Sequence, residues 1–161
     1  MFSEFIRRIK QVLFYPFSRV DFPKNDESNE EKDKFFMLLV NADFDLKTRH
    51  YWHIKAAQAG HVQAMAEEGD FIIHGWIQGA TLEDAYNYYT KAAEAGNKNG
   101  LRGLAECYYY GWGTEKNLED AKKYFKLSDK RTYRKIKKMT EERFLKIDGD
   151  EVLKKDREFY N

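Results

Sequence analysis

The sequence predicts an all-α protein, a right-handed solenoid of antiparallel helix pairs with a capping helix at each end. Residues 55–90 and 91–126 superpose without a gap and agree at 12 of 36 positions. A fixed period of this length is typical of stacked helical repeats, in which each unit buries its apolar face against its neighbours. In addition, both prolines precede residue 24, so no proline interrupts a helix beyond that point.

With 161 residues the chain is long enough for one domain or for a short repeat array with end caps. We expect a single helical-repeat domain over residues 1–161. Its predicted parts are an N-terminal helix or cap (1–23), a degenerate repeat (24–60), two clear repeats (61–96 and 97–128) and C-terminal capping helices (129–161).

The N-terminal segment has two possible roles. Residues 2–14 place apolar side chains at helical spacing with cations between them, and Pro16 ends the helix. Because the polar face is basic, an anchor at a membrane surface is one interpretation. We favour a cap on the end of the solenoid, because the segment has only three basic residues and repeat arrays need covered ends.

The degenerate repeat is predicted from its position one period before the first clear repeat. Ser28 and Glu31 have the spacing of a capping box. The helix that follows has residues 35–40 as its body. The second helix of this unit spans 46–59, and Gly60 ends it because glycine adopts the left-handed conformation after a helix without strain.

The first clear repeat is predicted as a helix of about 62–74, a turn over 75–80 and a second helix that ends at Gly96. Thr81 is the expected N-cap of the second helix, because Asp84 follows three residues later.

The second clear repeat has the same plan. We expect a helix over about 98–110, a turn over 111–116, Asn117 as N-cap and a helix over 118–128. After it, apolar residues roughly on one side of 130–147 predict a capping helix. A break at 148–150 and a short helix to about 159 should follow.

The second repeat resembles the SEL-one-like repeat, a relative of the tetratricopeptide repeat. The matching residues are Leu104, Ala105, Tyr108, Gly111, Gly113, Leu118, Ala121 and Tyr124, with Ala92, Ala93 and Gly96 at the close of the unit before. The first repeat departs from the pattern, with Ile72 in place of a favoured tyrosine and Ile77 in place of the second glycine of the turn.

The resemblance covers about residues 46–128 and implies a fold more specifically than a ligand, because the matched residues are those that pack. Proteins of this family are generally cytosolic or exported adaptors. Short freestanding bacterial members include toxin-neutralising immunity proteins. The resemblance therefore implies a protein–protein interaction module, with a regulatory or scaffolding adaptor as the alternative.

No residue pattern indicates chemistry. Gly111-Trp-Gly113 lacks the lysine of a phosphate-binding loop, and Asp148 and Asp150 lack the later ligands of a calcium loop. His50 and His53 have a spacing compatible with metal ligands, but no third ligand joins them, so we expect surface histidines. The sequence predicts no catalytic residue, no cofactor and no metal, and hence no enzyme.

The single cysteine, Cys107, replaces an aromatic residue of the preceding repeat, and we expect it to be a small core residue. One cysteine forms no internal disulfide, which fits a reducing compartment. No apolar segment is long enough to span a bilayer, and the N-terminus lacks the pattern of a signal peptide. We therefore expect a cytoplasmic protein that is a monomer when alone.

Charge is distributed unevenly although the net charge is only +1. Residues 21–115 contain 9 basic and 16 acidic residues, whereas residues 116–146 contain 12 basic and 5 acidic ones. Three interpretations stay open: a basic partner on the repeats, an acidic partner on residues 130–146, or a solvated basic helix face. Nucleic acid is not favoured, because aromatic residues in the basic stretch are few.

In tetratricopeptide-like arrays the first helix of each pair lines the concave surface. A turn of about 100° per residue places one set of side chains of each first helix toward that groove. Aromatic residues flanked by charge are typical of binding hot spots. The alternative is that these aromatics pack against the terminal helices. The predicted protein-binding residues are Gln63, Glu67, Asp70, Ile73, His74, Asn99, Arg102, Glu106, Tyr109 and Tyr110, and the expected partner is a protein, such as a toxin domain, with a basic patch.

Overall fold

The computed structural model describes Glu30, Lys34 and residues 46–160. The chain separates into two compact units, Met1–His61 and Val62–Asn161. The predicted N-terminal cap, the capping box of the degenerate repeat and the helix body at 35–40 lie outside the described residues.

Every regular element in the described part of the chain is a helix, which confirms the all-α prediction. In the first unit, helix α1 spans Leu46–Gln58. Gly60 follows it with a φ of 87°, in the left-handed region, as expected for a glycine that ends a helix. Trp52 and His53 of α1 are buried, so the expectation that both histidines of this helix lie at the surface is wrong for His53.

The two clear repeats fold as the sequence predicts. Each contributes two helices to the second unit, and their bounds agree with the predicted bounds to within about one or two residues. These helices are α2 (Val62–Ile73), α3 (Leu82–Glu94), α4 (Lys98–Tyr110) and α5 (Leu118–Ser128).

Both predicted N-caps form. The Thr81 side chain accepts a hydrogen bond from the backbone N–H of Asp84 at 3.2 Å, and the Asp84 carboxylate accepts from the Thr81 backbone N–H at 2.8 Å. Asn117 accepts from the backbone N–H of Asp120 at 3.0 Å. These bonds satisfy donors that the first turn of a helix leaves without a partner, and so they fix where α3 and α5 begin.

Helices adjacent in sequence pack against one another from α2 to α5, and α2 also packs directly against α4. Tyr89 of α3 reaches between them because two glycines leave room for its ring. A Cβ added at Gly69 of α2 would lie 2.6 Å from the ring, and one added at Gly103 of α4 would also collide with it. The main core cluster consists of Ile72, Ile73, Ala85, Tyr89, Leu104, Cys107, Trp112 and Leu153.

A second core cluster joins α4 and α5 to the C-terminal segment. Its buried members are Ala105, Ala121, Phe125 and Ile136, with Tyr109 and Met139 packed against them. Ala105 is completely buried, as expected for a small residue where two helices meet. Cys107 is buried in the main cluster, which confirms the prediction that it is a core residue.

The C-terminal segment differs from the prediction. In place of one helix over 130–147, the chain forms α6 (Lys130–Ile136) and α7 (Glu141–Leu145), separated by a turn and an extended residue, Thr140. The interruption brings both Met139 and Phe144 against Tyr109 of α4. Because a single helix places residues five apart on different faces, the packing of these two side chains favours the break.

The last helix, α8 (Gly149–Tyr160), begins inside the segment that was predicted as a break. Asp148 caps it, since its carboxylate accepts hydrogen bonds from the backbone N–H groups of Asp150 and Glu151 at 3.0 Å each. Gly149 approaches the Tyr110 carbonyl so closely that a Cβ would collide with it. The glycine therefore permits close contact between α8 and α4 rather than ending a helix.

Within the part of the chain that the structure describes, no helix has both the length and the apolar composition needed to cross a bilayer.

Candidate functional site

The first helix of the first clear repeat, α2, presents two of the predicted site residues, Gln63 and Glu67, in a hydrogen-bonded row with Asn97. Gln63 donates to the Glu67 carboxylate at 2.8 Å and accepts from the Asn97 side chain at 3.0 Å. Burial raises the pKa of Glu67, and the nearby Asp70 carboxylate adds to the rise while the bond from Gln63 opposes it. This row therefore holds the Glu67 carboxylate in place on α2, close to Asp70.

Asp70 is positioned by a residue that the sequence did not indicate. The Tyr89 hydroxyl donates to the Asp70 carboxylate at 2.7 Å. The tyrosine comes from α3 and passes between Gly69 and Gly103 to reach it. The same two glycines that permit tight packing of α2, α3 and α4 thus let a core side chain orient a surface carboxylate.

Glu106 of α4 has a strongly perturbed pKa. Burial raises the pKa of Glu106 to about 7, and the charges of Asp70, Asp156 and Asp129 act in the same direction. The Arg102 guanidinium opposes the rise. At neutral pH this carboxyl is therefore balanced between its charged and neutral forms, with acidic neighbours on more than one helix.

Helix α8 contributes one of these neighbours, Asp156, which the sequence analysis did not include. Two of the same charges act on Tyr110. Burial raises the pKa of its hydroxyl to about 12, and Glu106, Tyr109 and Asp156 add to the rise. We define the acidic patch as the carboxylates of Glu67, Asp70, Glu106 and Asp156. It combines residues of α2, α4 and α8.

The predicted apolar and aromatic members of the site are packed by the C-terminal segment. Ile73 is only 5% exposed and shares the main core cluster with Leu153 of α8, so it does not face outward as expected. Tyr109 is half-buried against Phe144 and Phe125 at centroid distances of 5.8 and 6.1 Å. The structure thus has the arrangement of the alternative interpretation, in which these side chains pack against terminal helices.

Tyr110 is also partly covered. Its ring stacks on Trp112 with centroids 4.5 Å apart, and its backbone carbonyl contacts the start of α8. His74 follows the end of α2, where its Nδ1 lies 2.7 Å from the Asp70 carbonyl and its ring stacks on Trp76. Neither side chain stands free in a groove.

The two remaining predicted residues lie on the exposed first half of α4. Asn99 and Arg102 are both exposed, and Arg102 is four residues before Glu106 on the same face of the helix. The structure therefore brings together Gln63, Glu67, Asp70, His74, Arg102 and Glu106 of the predicted set. In contrast, Ile73, Tyr109 and Tyr110 belong largely to the packing of the C-terminal segment.

Asp156 and Tyr89 are the functional candidates that sequence reasoning missed. The repeat period carries no information about where residues 130–160 fold back, so nothing in the sequence placed Asp156 beside Glu106. A signal for Tyr89 was present: Gly69 and Gly103 are both inside predicted helices, where glycine is disfavoured unless another group comes close.

Other features of the described residues give weaker evidence of a functional site than the acidic patch does. No group of three or more histidine, cysteine or acidic side chains among them has the arrangement of a metal site. Burial raises the pKa of the Cys107 thiol, the opposite of what a reactive cysteine requires.

A cleft of about 580 Å³ also lies beside the start of α8, and two lysines are among its lining residues. Lys116 donates to the Ile147 carbonyl, and Lys146 pairs with Glu142 at 2.8 Å. Because both lysines already bond to groups of the protein, the cleft gives weaker evidence of a binding site than the acidic patch does.

The raised pKa of Glu106 gives a prediction with a definite sign. Since the folded-state pKa of about 7 lies above the ordinary value of 4.5, the folded protein binds this proton more tightly than the unfolded chain. The stabilising contribution of this bound proton is complete below the ordinary pKa of 4.5 and is lost as the pH rises through 7. Glu106→Gln should therefore match wild type in acid and exceed it by about 3 kcal/mol at pH near 8 in urea unfolding.

The exposed Glu83 provides the control for this measurement, since Glu83→Gln removes the same charge from α3. It should differ from wild type by less than about 1 kcal/mol at every pH, because an exposed charge in the first turn of a helix contributes no more than that. A difference between Glu106→Gln and wild type that does not change with pH would contradict the assigned burial of the Glu106 carboxyl.

In comparisons with known proteins, no family model matches this chain, and no curated protein matches its sequence.

Proposed function

We propose that this protein is a non-enzymatic protein-interaction module whose acidic patch binds a basic segment of a partner protein. In this proposal the helices of the repeats pair in antiparallel fashion and stack as a right-handed solenoid of SEL-one-like repeats. The first helices of the pairs, α2 and α4, then present the patch on one face. The observation that carries the proposal is the set of carboxylates around Glu106, on three different helices.

The chemistry of the patch favours a cationic partner. Burial raises the pKa of Glu106, and the like charges of neighbouring carboxylates add to the rise, so the charged form of this carboxyl is destabilised in the site. A lysine or arginine side chain placed among these carboxylates would relieve the repulsion and form charge-assisted hydrogen bonds. The preorganisation of Asp70 by Tyr89 and of Glu67 by Gln63 lowers the entropy lost when such bonds form.

The most concrete form of the proposal is a bacterial immunity protein that binds and blocks a toxin domain in the cytoplasm, the protein being a monomer before it binds. This form rests on the resemblance to SEL-one-like repeats and on the complementarity between the acidic patch and a basic protein surface. A regulatory or scaffolding adaptor is the alternative, with residues 2–14 as a membrane-surface anchor, because that segment alternates basic and apolar residues at helical spacing.

Affinity capture with the purified chain tests the proposal. The wild type is compared with Asp70→Asn/Glu106→Gln, which keeps the shape of both side chains and leaves an acceptor for the Tyr89 hydroxyl. We expect the double variant to lose at least nine-tenths of a captured basic protein, because each removed charge contact contributes about 1 kcal/mol or more. If the product of the neighbouring gene is a toxin, it is the first partner to test.

The matched control is Glu83→Gln/Glu94→Gln, which removes two exposed carboxylates from α3 and changes the net charge by the same amount. It should capture as much partner as wild type does. Equal losses in the two double variants would mean that net charge, and not the acidic patch, governs capture, and the proposed site would then be wrong.

A further inference from the structure

A second surface, opposite in charge to the acidic patch, is formed by α5, α6 and the turn after α6. Residues 121–140 contain nine lysine and arginine residues and one acidic residue, Asp129. Lys122 pairs with Glu119 at 3.1 Å. Within the described part of the chain, none of the other eight cations forms an ion pair. We define these eight as the basic surface: Lys123, Lys126, Lys130, Arg131, Arg134, Lys135, Lys137 and Lys138.

Packing fixes the direction in which these side chains point. Phe125 of α5 and Ile136 of α6 are buried in the second core cluster, so the opposite faces of both helices are turned to solvent. All eight cations are exposed: six lie on α5 and α6, and Lys137 and Lys138 lie in the turn after α6. Lys123 lies over the Tyr124 ring at 4.8 Å while remaining exposed. The Asp129 side chain caps the start of α6, where it accepts a hydrogen bond from the Arg131 backbone N–H at 2.9 Å.

The basic surface also carries an exposed aliphatic side chain. Leu127 is 59% exposed, and it lies on the same face of α5 as Lys123, which precedes it by four residues. An aliphatic side chain among lysines gains no free energy from contact with the phosphate backbone of a nucleic acid or with water. It gains free energy when it enters the acyl boundary of a bilayer whose headgroups neutralise the surrounding cations.

We propose that the basic surface binds bilayers containing anionic phospholipids, with Leu127 inserted at the headgroup boundary. Charge complementarity selects the occupant: eight cations without ion pairs face outward, and the leucine among them selects a lipid surface over a nucleic acid. This site differs from the N-terminal segment considered as an anchor, and it uses none of the four carboxylates of the acidic patch.

Vesicle sedimentation of the full chain tests this proposal. We expect binding to phosphatidylcholine vesicles with about 30 mol% phosphatidylserine and much weaker binding to phosphatidylcholine alone. Each basic residue near such a surface contributes about fivefold in affinity. The triple variant Lys126→Gln/Lys130→Gln/Arg134→Gln should therefore bind about 100-fold more weakly, and Leu127→Gln several-fold more weakly.

The matched control replaces three exposed lysines elsewhere in the chain, Lys55, Lys91 and Lys98, with glutamine. It should keep nearly all of the wild-type binding at the same salt concentration. Equal binding of wild type to both vesicle types, or equal binding of the triple variant and its control, would overturn the proposal. Tighter binding to a single-stranded oligonucleotide than to the vesicles, unaffected by Leu127→Gln, would also overturn it in favour of nucleic acid.

Discussion

Replacing Trp112 with alanine is expected to lower the free energy of unfolding by about 3–5 kcal/mol, the usual cost of deleting a buried large aromatic side chain. Trp112 is 3% exposed, belongs to the main core cluster and stacks on Tyr110. Its indole N–H also donates to the Gly149 carbonyl at 3.0 Å, which connects the start of α8 to the turn after α4. Urea unfolding followed by far-UV circular dichroism measures the loss.

The repeat supplies an internal control at Trp76, which occupies the same position 36 residues earlier. Trp76 is 48% exposed, so Trp76→Ala should cost less than half as much as Trp112→Ala. Trp112→Phe should fall between the two, because it keeps an aromatic ring and loses the hydrogen bond to Gly149. Equal losses at the two tryptophans would contradict the role of α8 in covering the second repeat.

Replacing Tyr109 with alanine is expected to cost about 3 kcal/mol. The ring packs edge-on against Tyr110 at 4.9 Å and contacts Phe125 and Phe144, and its hydroxyl contacts the Met139 sulfur at 3.6 Å. The variant therefore removes a side chain that holds α4, α5 and α7 together. Urea unfolding again provides the measurement.

Tyr109→Phe is the control for this substitution. It keeps every ring contact and loses only the weak contact with sulfur, so its cost should stay below about 1 kcal/mol. A Tyr109→Ala variant as stable as wild type would mean that the ring is a free surface side chain, as the groove hypothesis from sequence assumed.

The sequence predicted most of the repeat because each helix there has local signals. Thr81 and Asn117 mark where α3 and α5 begin, and Gly60 and Gly96 mark where helices end. Small residues such as Ala105 indicated where helices touch. Local propensity, capping and periodicity agreed, and this agreement makes helix bounds predictable.

The C-terminal segment lacked such agreement. The contacts of Tyr109 with Met139 and Phe144 break the expected helix, and contacts between residues about 30 apart leave no periodic trace in one sequence. Gly149 looked like a helix breaker because its close approach to Tyr110 is visible only in three dimensions. For the same reason the sequence indicated neither the place of Asp156 near Glu106 nor the burial of Ile73.

The binding of a basic peptide or partner to the acidic patch can be tested most directly by measuring the protons that are released when the complex forms. A cation seated beside Glu106 stabilises the charged carboxylate and lowers its pKa from about 7, so binding near neutral pH should release protons. Isothermal titration in two buffers of different ionisation enthalpy, with the captured partner as ligand, measures this release. The proposal predicts a fraction of a proton released per complex by wild type and by Glu83→Gln, and almost none by Glu106→Gln, which should also bind more weakly. Tight binding with no proton release in wild type, and unchanged in Glu106→Gln, would contradict the acidic patch as the binding site.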